Sequence, residues 1–214
     1  MLRKYLLFVI FFMIFVMPLR AMSGEELINK LQVREDAVKT MQFAYTQSIK
    51  SPEIEQENMI KGIVYFKKPN KFFIKTQSPY VQHFISNGDT LWIYTPENKQ
   101  AIKRAADTLL QEEHIARFFD FIFNIEKCDE QYKSLPLRQN KNYYYLSLVS
   151  KQDNAEAIKL SINKELMFPQ KIELFSGEIT IATSLSAIKF DKIIKNKEFE
   201  FIAPKDVEIW EMED

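Results

Sequence analysis

His83, His114 and Cys128 are the side chains of this 214-residue chain best suited to metal ligation, proton transfer or thiol chemistry. A metal or acid–base site needs a second ligand or a carboxylate at fixed spacing. Neither histidine has one: His83 stands in an apolar run that reads as a strand, and His114 in a segment that reads as a helix. Each reads as a structural or surface residue. Cys128, the only cysteine, lies in Glu126-Lys127-Cys128-Asp129, which carries no metal or redox motif and leaves no intramolecular disulfide to form. There is no Gly-x-Ser-x-Gly elbow, and four glycines in all leave no loop to cradle a phosphate. Glu25-Glu26, Glu112-Glu113 and the acidic stretch from Asp206 to Asp214 read as solvated faces or a tail. No enzyme, cofactor or metal centre is expected.

The elements around these residues point elsewhere. Arg3 and Lys4 precede an apolar run from Tyr5 to Met17 that ends at Pro18, the order of a secretory signal peptide and too short for a span of about 20 residues. Cleavage is expected after Ala21 or Ser23, giving a signal over residues 1–21 and one domain over 22–214. No cysteine near the cut accepts a lipid, so a soluble exported protein is expected. Basic and acidic residues balance at 29 each, and removing the signal leaves 26 against 29. The adjacent basic pairs of the mature chain, Lys67-Lys68 and Lys103-Arg104, grow into no longer run, which excludes a nucleic-acid-binding face.

Ser23 and Glu26 form a capping box ahead of Leu27, Leu31, Val38 and Met41, predicting a helix over Gly24 to Thr40. Strands follow. Phe43, Tyr45 and Gln47 alternate with Gln42, Ala44 and Thr46, and the polar segment Ser51 to Asn58 makes a hairpin loop. From Gly62 to Gln100 three turns separate four aromatic-rich runs, one turn being Asn87-Gly88. These runs are apolar on both faces: Ile63, Val64, Tyr65 and Phe66 are contiguous, as are Phe72, Phe73 and Ile74. Either an ordinary two-sided core or a curved sheet with one face lining an apolar cavity satisfies this pattern.

Ala105 to Glu130 lacks proline and glycine and becomes apolar nearly all round from Phe118 to Ile125, which predicts one or two short helices serving as a core plug or a lid. Further strands are predicted at Tyr143 to Leu148, Ala157 to Ile162, Gln170 to Phe175, Ile179 to Phe190 and Phe199 to Ile202, with turns at Phe168-Pro169 and Ser176-Gly177. About ten strands are too many for a flat open sheet to hold without curling.

These residues resemble the LolA family of periplasmic lipoprotein carriers. The resemblance rests on Phe43-Ala44-Tyr45-Thr46-Gln47 after the first helix, Gly62 to Pro69 with Phe72, Ser78-Pro79, Ser86-Asn87-Gly88-Asp89-Thr90-Leu91-Trp92-Ile93-Tyr94 followed by Gln100, and Phe199-Glu200-Phe201 with Pro204. It implies a mainly β, α+β fold: a strongly curved, incompletely closed antiparallel barrel of about ten to eleven strands, with an N-terminal helix and a helical lid over an apolar cavity. It also implies a monomeric periplasmic carrier that takes acylated lipoproteins from an inner-membrane ABC-type releasing complex to an outer-membrane receptor. The alternative is a periplasmic lipid- or lipoprotein-binding sensor with a similar half-barrel.

A carrier of this kind must hide much apolar surface. A triacylated cysteine bears about 50 chain carbons, at about 0.8 kcal/mol per buried methylene. The cavity candidates on this reading are Phe72, Ile74, Phe84, Trp92, Phe118, Phe119, Ile122 and Phe123. The family has arginine immediately before the proline of the Lys-x-Pro turn, as a latch on lid carbonyls. Here the position is Lys68, which keeps the charge and loses the planar fork.

Overall fold

The computed structural model describes residues 22–53, 58–106, 122, 125, 130–152 and 155–212. The chain opens with helix α1 (Gly24–Ala37). Its capping box forms in both directions: the Glu26 amide donates to Ser23 Oγ at 3.0 Å, and the Ser23 amide to Glu26 Oε2 at 2.8 Å. Leu27, Ile28 and Leu31 are buried. The helix stops three residues short of Thr40 because Val38 turns extended and Thr40 already belongs to the first strand.

Two antiparallel meanders follow. The first runs β1 (Thr40–Lys50), β2 (Asn58–Lys67), β3 (Lys71–Ser78), β4 (Gln82–Ser86), β5 (Thr90–Thr95) and β6 (Gln100–Ala105). The second has the short β7 (Tyr132–Ser134) and β8 (Arg138–Gln139) and the longer β9 (Tyr143–Ser150), β10 (Glu156–Asn163), β11 (Phe168–Ser176) and β12 (Ile179–Phe190). Antiparallel pairing of β1 with β12 fuses them, and β13 (Glu208–Glu211) adds to β6 in parallel. The spatial order is β13-β6-β5-β4-β3-β2-β1-β12-β11-β10-β9-β7, with β8 against β9, so the sheet is open at β13 and β7.

The sheet is curved. Phe66, Phe72 and Leu91 from one meander and Leu146, Leu160 and Ile172 from the other meet α1 in one apolar cluster, which a flat sheet of this width does not allow. A bulge helps to bend it: β12 spends an extra residue opposite Gln42–Ala44, and Ala187 there has φ 51°.

Several expectations need correction. The described residues hold thirteen strands where ten to eleven were expected. The additional ones are β6, whose Lys103-Arg104 pair masks its strand pattern, β7 and β8, too short to show alternation, and β13, hidden in the acidic tail. Phe168-Pro169 opens β11 instead of making a turn, and the left-handed residue is Met167 with φ 46°. Phe199 to Ile202 is not a strand. A short 3-10 helix (Asn196–Phe199) and an extended segment form an arm that crosses the outer face of β3–β5. Phe199 is fully buried, and Phe201 packs its ring 5.0 Å from Trp92 and 5.2 Å from Tyr94. The arm is held by apolar contact instead of a hydrogen-bonded ladder.

Candidate functional site

Residues paired directly across neighbouring strands project to the same face. On the face that carries α1, three parallel rows cross the first meander. The deepest runs Met41–Phe66–Phe72–Ser86–Leu91–Arg104, and its members Met41 to Leu91 are buried in the core. The next runs Phe43–Val64–Ile74–Phe84–Ile93–Ile102 and is apolar at all six positions. Phe43 and Val64 are buried, whereas Ile74, Phe84, Ile93 and Ile102 are half-buried. The third runs Tyr45–Gly62–Thr76–Gln82 to Thr95 and Gln100, with no charged member. Thus the inner face grades along the strands from packed core, through a half-open apolar band, to a rim of hydroxyls and amides.

The rim side chains pair among themselves. Tyr45 Oη lies 3.2 Å from Thr76 Oγ1, and Gln82 Nε2 donates to Thr95 Oγ1 at 3.4 Å. Next to them Gln47 Nε2 donates to Thr183 Oγ1 at 3.0 Å. Burial pushes the Tyr45 phenol above its ordinary value, partly offset by the Thr76 hydrogen bond, so it stays protonated in neutral water.

The opposite face of these strands is an ordinary packed layer. Trp92, Phe73, Tyr94, His83, Ile85 and Ala101 project there. The C-terminal arm covers part of it through Phe201. His83 is held edge-on by Phe73 at 5.5 Å and Tyr94 at 5.7 Å, and its buried Nε2 has no hydrogen-bond partner among the described residues. Burial lowers its pKa, and Lys75 lowers it further. The two-sided apolar pattern of β2–β5 therefore has two causes, a half-open band on one side and the arm on the other.

Of the cavity candidates, Phe72, Ile74, Phe84 and Ile122 belong to the inner apolar cluster or pack against it. Phe72 is deep core, and Ile74 and Phe84 lie in the half-open band. Trp92 departs from this set, since it faces the arm. Phe118, Phe119 and Phe123 lie outside the described residues, as do His114 and Cys128. Ile93 and Ile102 complete the band. Ile93 pairs with Phe84 and Ile102 with Ile93, a register that the unbroken apolar run Leu91 to Tyr94 does not reveal.

Lys68, at the candidate latch position, reaches α1. Its Nζ donates to the Glu35 carbonyl at 2.8 Å and lies 4.0 Å from Asp36 Oδ1, placing a cation at the helix C-terminus where orphan carbonyls accumulate. The Glu35 carboxylate in turn accepts the Ile125 amide at 3.2 Å. Glu35 thus ties the turn before Pro69 to the segment leading into β7. Beside it, Leu31, Val38, Ile122, Ile125 and Phe168 line a narrow cleft, and Arg34 stacks 4.4 Å over the Phe190 ring. Among the described residues no cluster of three or more histidine, cysteine or carboxylate side chains is placed to hold a metal, and no helix is long and apolar enough to cross a membrane.

The described residues thus form an open, curved, mainly antiparallel sheet that carries α1 on an apolar inner face. Residues 36–202 match the family model of the outer membrane lipoprotein carrier protein LolA, and the chain belongs to that family. It is 29% identical over 193 residues to the outer-membrane lipoprotein carrier protein of Francisella philomiragia, covering 88% of each chain. It is 24% identical over 206 residues to the uncharacterized protein MJ0687 of Methanocaldococcus jannaschii, covering 94% of this chain and 59% of that one. In fold it is similar to the solved complex of Pseudomonas aeruginosa MucA/MucB, with a TM-score of 0.53 at 9% identity over 84% of this chain and 61% of that one.

Proposed function

We propose that this chain is an exported carrier that shields the acyl chains of lipoproteins between an inner-membrane ABC-type releasing complex and an outer-membrane receptor. The observation that carries the reading is the half-open row Ile74–Phe84–Ile93–Ile102, apolar at every strand and bordered by packed core on one side. Such a row offers chains a surface from which water is excluded at about 25 cal/mol per Å2, in increments small enough for release. The segment from Phe118 to Ile125 is the candidate lid, and its last residue, Ile125, donates its amide to the same Glu35 whose carbonyl takes Lys68. No covalent step is required, so the function is non-enzymatic.

The test is mass spectrometry of the mature protein purified without detergent. Co-purifying acylated peptide or lipid, removed by Phe84→Glu, is the expected result. A protein empty under all conditions, with normal lipoprotein sorting in its absence, overturns the carrier. The fold likeness to a chain solved in a protein–protein complex, MucA/MucB, supports a lipid- or lipoprotein-binding sensor as the second reading. Recovery of a signalling protein and no transporter in a pull-down decides for the sensor.

A further inference from the structure

We propose that the row of Tyr45, Thr76, Gln82, Thr95 and Gln100 is a subsite for the ester carbonyls that join acyl chains to the glyceryl-cysteine of a lipoprotein. The proposal rests on the reading of the neighbouring apolar row as an acyl-binding surface. Three features of the rim select this ligand region.

The first is position. The rim lies one side-chain step from the apolar row on the same face, a separation of about 7 Å along the strands. A chain end lying in the band beside Ile74, Phe84 or Ile93 sits one step from Thr76, Gln82 or Thr95 on the same strand. The second is hydrogen-bond type. Ester carbonyls only accept, and every side chain of the rim carries a hydroxyl or amide donor. The phenol of Tyr45 is kept protonated by burial and stays a donor.

The third feature is charge. The rim is uncharged, and the cations of β2–β6 sit elsewhere: Lys61, Lys67, Lys71, Lys75 and Lys103 project to the outer face, and Arg104 stands on the inner face beyond the apolar row. A phosphate or free carboxylate placed at the rim would be desolvated without a counter-charge, which disfavours anionic phospholipids and fatty acids relative to a neutral linkage. The Tyr45–Thr76 and Gln82–Thr95 contacts pair four of the rim side chains at 3.2 and 3.4 Å. Both are long enough to exchange for a ligand carbonyl at small cost.

The test compares a dipalmitoylglyceryl-cysteinyl peptide with its dihexadecyl ether counterpart, which keeps the chains and lacks the carbonyls, by calorimetric titration of the mature protein. The ester form is expected to bind about three- to tenfold more tightly, the worth of one or two net hydrogen bonds. Tyr45→Phe, which keeps the ring, and Thr76→Val, which keeps the shape, are expected to erase that preference, read as the ester-to-ether affinity ratio of each variant. Equal affinity of the unmodified protein for both forms overturns the subsite and leaves the carrier reading standing. Binding of neither form overturns both readings. Tighter binding of free dipalmitoylglycerol than of the lipopeptide overturns the assignment of the linkage to a lipoprotein. The ester-to-ether ratio of the unmodified protein decides the matter even where a variant fails to fold.

Discussion

The ring of Tyr45 lies across Gly62: a Cβ built on this glycine sits 2.6 Å from Tyr45 Cε1, 2.8 Å from Cζ and 2.4 Å from the carbonyl oxygen of Lys75. The glycine stands inside β2, paired with Tyr45 on one side and with Thr76 on the other where the β2–β3 register shifts, and its missing side chain is the space the neighbouring aromatic fills. Gly62→Ala is therefore expected to cost about 1–3 kcal/mol, since the backbone contact is relieved only by moving β3. Urea unfolding at constant m-value checks it. A loss below about 0.5 kcal/mol would show that the strand gives way without cost.

Lys68 gives a second prediction. Its ammonium caps the C-terminus of α1 through the Glu35 carbonyl, while its 4.0 Å approach to the exposed Asp36 adds little. Lys68→Leu is expected to lose about 0.5–1 kcal/mol of stability, and Lys68→Arg to retain it, because either cation satisfies a helix end. Hydrogen exchange at the last turn of α1 and at the Ile125 amide reads the same contact locally. Faster exchange at both in the leucine variant is the expected pattern, since Glu35 joins them.

The helix was legible from its capping box, and the first meander from the Asn87-Gly88 turn, where Gly88 takes φ 106°. The side on which Trp92 falls was not legible. Leu91, Trp92, Ile93 and Tyr94 are all apolar, so alternation cannot assign faces; the assignment comes from Phe201, more than a hundred residues later. The tail escaped for a related reason. Glu208 to Glu211 reads as solvated, yet β13 gains its place from backbone bonds to β6 and from Lys103 Nζ, 2.9 Å from Glu211 Oε1. The polar rim was present as scattered threonines and glutamines. It becomes a row only once the register is known, because its members lie on different strands.

Face assignment has a direct functional consequence. Trp92→Phe alters the layer under the arm and is expected to leave acyl binding within about twofold, while Phe84→Glu, on the open band, abolishes it. Phe201→Ala is expected to cost about 1–3 kcal/mol of stability and to shift tryptophan emission to longer wavelength as Trp92 is uncovered. A Trp92→Phe protein that no longer binds lipopeptide would place the ligand against the arm-covered face.

His83 makes the stability of that layer depend on pH. Its ring is packed between Phe73 and Tyr94, and both burial and Lys75 hold its pKa below the ordinary 6.5. The folded protein then binds the proton less readily than the unfolded chain. This contribution is unaffected above pH 6.5; it is lost as the pH falls from there to the lowered folded value, because protons bind first to the unfolded state. Since the ring is only partly enclosed, the loss is moderate. Unfolding free energies measured between pH 7.5 and about 4.5 for the unmodified protein and for His83→Phe separate this group from the carboxylates, which titrate in both. A slope through the histidine range that disappears in the variant is expected; parallel curves would mean that the imidazole takes its proton without disturbing the arm.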